Sequence, residues 1–132
     1  MELNIKIIEA KDVPKMDAVG KSDPYVILKL SQSSQQWKTK VQKNTYTPVW
    51  NQEFKLPLTS KLDEILTVEM WDKDVAKDDK ISTVQLQVNK IPVGKVNDSW
   101  YTMHPVKGVD KGGKLRIVVH LCKPGAEAFK DA

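Results

Sequence analysis

Short runs in which apolar and polar residues alternate recur along this chain, and they admit few folds. Leu3, Ile5 and Ile7 alternate with Asn4 and Lys6, and Leu66, Val68 and Met70 alternate with Thr67, Glu69 and Trp71. Val26, Leu28 and Leu30 face one way while Tyr25, Ile27 and Lys29 face the other, and Val84, Leu86 and Val88 alternate with Thr83, Gln85 and Gln87. A period of two lays one set of side chains on one face of an extended strand. Further strands are expected at Trp37–Val41 after the Ser/Gln-rich turn 31–36, at Trp50–Leu56, at Trp100–Met103 and at Leu115–Leu121. Residues 89–98, with Pro92 and Gly94, have room for one helical turn and signal no long helix. Eight short strands separated by turn signals predict an all-β, eight-stranded antiparallel β-sandwich.

The densest chemistry lies in Trp71–Asp79, W-D-K-D-V-A-K-D-D, where Asp72, Asp74, Asp78 and Asp79 crowd the loop after the fifth strand. Asp72 and Asp74 stand two apart at a strand end, so both can turn over one point, with the Lys73 carbonyl between them. Hard oxygen donors in this arrangement suit Ca²⁺, which takes six to eight oxygens at about 2.3–2.6 Å. A solvated acidic loop relieved by Lys73 and Lys77 is the simpler alternative. An EF-hand is excluded. Counted from Asp72, the fifth ligand position is Ala76, the turn glycine is Lys77 and the final glutamate is Thr83.

The 132 residues fit one domain, expected over 1–123, with a polar tail or truncated linker over 124–132. No run of eighteen apolar residues is present, and the first ten residues lack a signal peptide's apolar segment, so a cytoplasmic protein is expected. Cys122 is the single cysteine, too few for an internal disulfide, and with only two histidines no zinc site is built. It reads as a small buried or edge residue. Net charge is +4, yet acids gather in loops while lysines spread along strands, and that asymmetry favours an anionic partner. A nucleic acid is not expected, because no reading motif accompanies the basic residues. Neither is an enzyme: no nucleophile–base pair is recognisable, and His104 and His120 lie in apolar strand contexts.

In order, the chain reads L-N-I-K-I-I-E-A-K-D-V, M-D-A-V-G-K-S-D-P-Y-V, K-T-K-V, T-P-V-W-N-Q-E-F, L-T-V-E-M-W-D-K-D and G-K-L-R-I-V-V-H-L. From Leu3 to Leu121 it resembles the C2 domain, a module that docks signalling and trafficking proteins onto membranes, and its strand order resembles the family's second, permuted topology. The resemblance implies functional loops at one end of the sandwich and a calcium site there. Its carboxylates would be Asp17 and Asp23 from the first loop, Asp72 and Asp74 from the third, and Asp79 or Asp78 as a fifth, with Asp79 favoured. The backbone carbonyls of Met16 and Lys73 fall where the family uses main-chain oxygens. Ala18, Val19, Val75 and Ala76 occupy the loop tips that members insert into a bilayer. They are small, so insertion is expected to be shallow, with headgroup coordination by bound ions dominant. Two departures stand out. The third loop is one residue short before the acidic pair, and Ser82 replaces a usual glycine, so the sixth strand's register is expected to be shifted.

A second surface follows from strand parity. With Thr39 and Val41 inward, Lys38 and Lys40 point out beside Tyr25 and Trp71, a cluster resembling the one with which some members hold phosphoinositide headgroups. Trp37, Trp50 and Trp100 are expected to pack in the core or an interface. The function expected is calcium-dependent binding of a monomer to anionic phospholipid, phosphatidylserine or a phosphoinositide, as a peripheral protein recruited when calcium rises. The competing function is a calcium-independent domain that binds phosphoinositide or a protein partner.

Overall fold

The computed structural model describes residues 1–16, 20–59 and 63–130. Among them the strands are β1 (Glu2–Lys11), β2 (Pro24–Leu30), β3 (Gln36–Lys38), β4 (Val49–Pro57), β5 (Ile65–Asp72), β6 (Asp79–Gln87), β7 (Val96–Thr102), β8 (His104–Pro105) and β9 (Lys114–Cys122). One sheet has the order β4-β1-β9-β7 and the other β3-β2-β5-β6-β8. All the strand pairings within them are antiparallel. The expected sandwich is present, with the inward-facing positions of both sheets meeting in one core. Leu3, Ile5, Ile7, Val26, Leu28, Leu66, Val68, Met70, Leu115, Ile117 and Leu121 are wholly or almost wholly buried there. Each such side chain removed from water contributes about 1.5–3 kcal/mol.

Three local differences from the expected strands have identifiable causes. β3 stops at Lys38 rather than Val41 because the Thr39 hydroxyl, not a neighbouring carbonyl, accepts the Val26 N–H at 2.9 Å. The chain then stays beside β2 through single bonds, Thr39 N–H to Val26 O at 2.9 Å and Gln42 N–H to Pro24 O at 3.0 Å. The expected strand Trp100–Met103 instead begins at Val96, since its pairing with β9 runs continuously from Val96–His120 to Thr102–Lys114. Met103, almost fully buried, is the corner at which the chain leaves one sheet and adds β8 to the edge of the other, a ninth strand. A single 3-10 turn, Val88–Lys90, straddles the start of the expected connection 89–98 and takes in Val88, expected in the strand before it.

β6 carries the expected register shift. Met70 lies opposite Ser82 while Trp71 lies opposite Lys80, which leaves Ile81 as the extra residue, buried in the core. Ser82 is also buried, and its hydroxyl donates to the Gly112 carbonyl at 2.7 Å. That approach requires Gly112 to lack a side chain: a Cβ there would sit 2.2 Å from the Met103 carbonyl oxygen and 3.0 Å from Ser82 Cβ.

Because β1, β3, β5, β7 and β8 run upward and β2, β4, β6 and β9 downward, residues 12–16 and 20–23 and the loops 39–48, 73–78 and 106–113 share one end of the sandwich. After β9, residues 123–130 turn back onto the sheet. The Phe129 N–H donates to His120 Nδ1 at 2.9 Å, and Lys6 Nζ lies 4.6 Å from the Phe129 ring centroid.

Gly112→Ala is expected to cost about 1–3 kcal/mol, the usual penalty for overpacking against a backbone that cannot yield. Urea denaturation of the variant beside the parent measures it; an unchanged midpoint would contradict the close contact.

Candidate metal and anion sites at the loop end

Strand parity sorts the acidic residues into two groups. On β5, Leu66, Val68 and Met70 face the core, so Asp72, two further on, points inward at the open end of the sandwich and is 0% exposed. Asp79 is paired directly with Asp72 across β5 and β6, and Pro24 flanks Asp72 on the other side. Directly opposed side chains lie on one face, and like charges so placed repel. Asp74, half-buried, follows Asp72 by two residues.

Asp78 belongs to the other face. Its Oδ2 accepts a hydrogen bond from the Tyr25 hydroxyl at 2.6 Å, and its Oδ1 accepts the Asp74 N–H at 3.0 Å with Lys73 Nζ at 3.6 Å. The Tyr25 hydroxyl, then the Asp74 N–H and Lys73, hold its carboxyl below the usual carboxylate range. The same contact, after burial, pushes the Tyr25 phenol well above its ordinary value. Tyr25 is thereby joined to the acidic loop, and it shares the outer face with Trp71, its cross-strand partner.

Main-chain N–H groups, donating mostly to side-chain oxygens, stitch the three acidic-end loops together. The Asp23 N–H donates to Asp72 Oδ1 at 2.8 Å, and the Lys73 N–H donates to the Asp23 carbonyl at 3.0 Å. Asp23 Oδ1 accepts the N–H of Asn44 at 2.6 Å. Asn44, with φ of 54°, turns the second loop toward the first, and its own Oδ1 accepts the Lys21 N–H at 2.9 Å. Met16 packs against the core. Asp17, Ala18 and Val19 lie outside the described residues. Val75, at the tip of the third loop, is 105% exposed, and Ala76 is exposed beside it. Among the described residues, no three of His, Cys, Asp and Glu close on a common point. The donor set is nonetheless of the oxygen type that Ca²⁺ prefers, and Asp72, Asp79 and Asp23 lie where three loops converge.

The outer face of the second sheet carries the lysines, with one residue the sequence reasoning missed. Ile27 is paired with Lys38 on one side and Glu69 on the other, so Lys38 and Glu69 share that face. Lys40 is exposed beyond the end of β3, and its N–H donates to Gln52 Oε1 at 2.6 Å. Glu69, only 4% exposed, occupies the centre. Lys29 Nζ donates to its Oε1 at 3.0 Å, Lys80 Nζ to its Oε2 at 2.8 Å, and the Trp71 indole N–H to Oε1 at 3.1 Å. Burial alone would push the Glu69 carboxyl up, but the bonds from Lys80, Lys29 and Trp71, with the Lys29 charge, hold it below the usual range. Its place two residues before Trp71 was the available signal, since that spacing puts both on one face. Trp50 is buried and Trp37 half-buried, as expected, whereas Trp100 is 41% exposed with Lys11 Nζ 4.3 Å above its ring. His120 is buried and bonded, His104 is exposed, and Cys122 is a buried free thiol.

A two-layer antiparallel sandwich with acidic loops gathered at one end and a lysine-bearing sheet face defines a binding module. The C2 domain description matches residues 1–103, and the chain belongs to the C2 domain family. The Arabidopsis thaliana protein named Multiple C2 domain and transmembrane region protein 8 is 34% identical over 135 residues, spanning 98% of this chain and 13% of that protein. A single C2 domain of plant Extended Synaptotagmin 1 superposes with a TM-score of 0.83 at 24% identity over 96% of both chains, a likeness of fold. The calcium-bound tandem C2 domains of Extended-Synaptotagmin 2 superpose with a TM-score of 0.79 at 28% identity, over 90% of this chain and 44% of that one. No helix among the described residues is long and apolar enough to cross a membrane.

Because the folded-state pKa of Glu69 lies below its unfolded value, its contribution to stability is complete above the unfolded pKa, about 4.3, and is lost as pH falls through the depressed value. The gap in urea midpoint between the parent and Glu69→Gln should therefore be widest near neutral pH and close on acidification below about pH 4. A gap independent of pH would show that the ion pairs contribute nothing.

Proposed function

We propose that this domain binds anionic phospholipid membranes in a calcium-dependent manner, as a monomer recruited from the cytosol to the membrane surface. The observation that carries the proposal is the buried Asp72 carboxylate directly opposite Asp79 at the open end of the sandwich. Two like charges are held there in register, an arrangement that a cation relieves. Asp17, Asp23, Asp72, Asp74 and Asp79 would supply the carboxylates, with main-chain oxygens from Met16 and Lys73. Asp79 is preferred over Asp78 because both Asp78 oxygens already accept hydrogen bonds on the other side of the sheet. Bound Ca²⁺ would supply the positive charge that cancels the acidic loops and the open coordination positions that accept a lipid phosphate oxygen. The chain's own part is to hold the carboxylates in place through the Asp23–Asp72 and Asp23–Asn44 bonds and to present the exposed Val75 and Ala76 at the interface. The calcium-bound state named for the Extended-Synaptotagmin 2 relative supports the same reading.

A second surface is favoured by the placement of Lys38 on the outer sheet face that also carries Tyr25 and Trp71, with Lys40 exposed two residues beyond it in the chain. Lysines on a strand face present ammonium groups to phosphate, so this surface would take a phosphoinositide headgroup without calcium. The competing use is an interaction with a protein partner.

Sedimentation with phosphatidylserine vesicles tests the leading proposal. Calcium is expected to bring the parent into the pellet, chelator to return it to solution, and Asp72→Asn/Asp74→Asn to stay soluble in both; equal partition in all four conditions would refute it. Comparing single variants in the same assay, Asp79→Asn is expected to abolish recruitment while Asp78→Asn retains it, and the reverse ranking would reassign the fifth carboxylate.

A further inference from the structure

The outer face of the five-stranded sheet holds a feature that a surface built only for anions would lack, the Glu69 carboxylate in its middle. Glu69 is saturated. Oε1 accepts from Lys29 and from the Trp71 indole, and Oε2 accepts from Lys80. Lys29 and Lys80 are each about one-third exposed, so their ammonium groups remain reachable from solvent while already committed to an internal anion. The Trp71 donor is committed as well. Lys38, whose strand partner Ile27 is also the partner of Glu69, adds its charge to the same row.

We infer that Glu69 is a built-in counter-anion that sets how strongly this face takes up a ligand bearing several phosphates, here a phosphoinositide headgroup in a bilayer. The inference rests on the second surface of the proposed function and adds a residue that opposes binding there. Two electrostatic facts carry it. An incoming phosphate must draw Lys29 and Lys80 away from a carboxylate that is itself shielded from water, and it must approach that carboxylate's negative charge. Both costs fall on the ligand. The pairs also pre-position the two lysines, but each ammonium stands on a flexible stem that reaches phosphate without a scaffold, so loss of repulsion outweighs loss of pre-organisation. A single charge removed at this range, in a medium between protein and water, changes an equilibrium roughly five- to tenfold.

The test uses Glu69→Gln, which keeps the size of the side chain and an acceptor for the Trp71 indole, with chelator present throughout so that the acidic loops play no part. Binding is measured by titration with soluble inositol trisphosphate, with vesicles containing phosphatidylinositol bisphosphate, and with phosphatidylserine vesicles of equal surface charge. The variant is expected to bind the soluble headgroup and the phosphoinositide vesicles roughly five- to tenfold more tightly than the parent, with little change on phosphatidylserine. Adding Lys29→Gln and Lys80→Gln to the same variant should erase the gain, which a general loosening of the fold would not do. Equal or weaker binding by Glu69→Gln overturns the role of Glu69 and leaves the surface itself standing. No binding of phosphoinositide by parent or variant overturns both. An equal gain on phosphatidylserine would reduce the effect to diffuse charge, and a gain with soluble headgroup alone would take the membrane out of it; either result overturns the inference as stated.

Discussion

The two-residue period of β5 is the constraint on which both candidate sites depend. Leu66, Val68 and Met70 must face the core, where burial of each contributes on the order of 1.5–3 kcal/mol, so the register cannot slip without turning all three into water. Asp72 then lies inward at the mouth of the sandwich, and Glu69 and Trp71 lie outward on the lysine face. A single strand thus delivers a carboxylate to each site. The hydrophobic core sets their positions, and their hydrogen bonds set only their local geometry.

Electrostatics on the two faces is handled differently. Outside, Glu69 is compensated by two lysines and an indole. Inside the loop end, Asp72 and Asp79 are opposed in register, and Asp72 Oδ1 accepts the backbone N–H of Asp23. Backbone donors stabilise a carboxylate without removing its charge, so the loop end keeps its negative field while the sheet face approaches balance. That contrast sets an opposed carboxylate pair at one end of the sandwich apart from a lysine-bearing sheet face, within a chain of net charge +4.

The shifted register of β6 shows how a local accommodation serves the site. Placing Ile81 in the core as an extra residue lets Lys80 point outward to Glu69 and Ser82 point inward to Gly112. It also leaves Asp79 opposite Asp72, with Asp78 on the outer side against Tyr25. A bulge of this kind re-aims side chains at a strand end without breaking the ladder below it. The tie from Ser82 to Gly112 joins the fourth loop to the same end of the sandwich, through a contact that admits no Cβ.

Much of this was legible in the sequence. Alternation marked β1, β2, β5 and most of β6, because burying one face of a strand leaves a period that no other structure imitates. The acidic run after Met70 marked the loop, and the shortened loop with Ser82 marked the shifted register. What stayed hidden depended on contacts between distant segments. Thr39 ends β3 by bonding to Val26, Met103 becomes a corner by packing under Gly113 and Gly112, and the stretch ending in Phe129 folds back because His120 offers a nitrogen to the Phe129 N–H. The meaning of Glu69 was hidden in the same way: its spacing shows that it faces outward with Trp71, but only the pairing of β2, β5 and β6 brings Lys29 and Lys80 onto its two oxygens. Local pattern determines which face a residue occupies, since that is a property of the backbone repeat. Which partner it meets there is decided by strand order and register, which no short stretch of sequence contains.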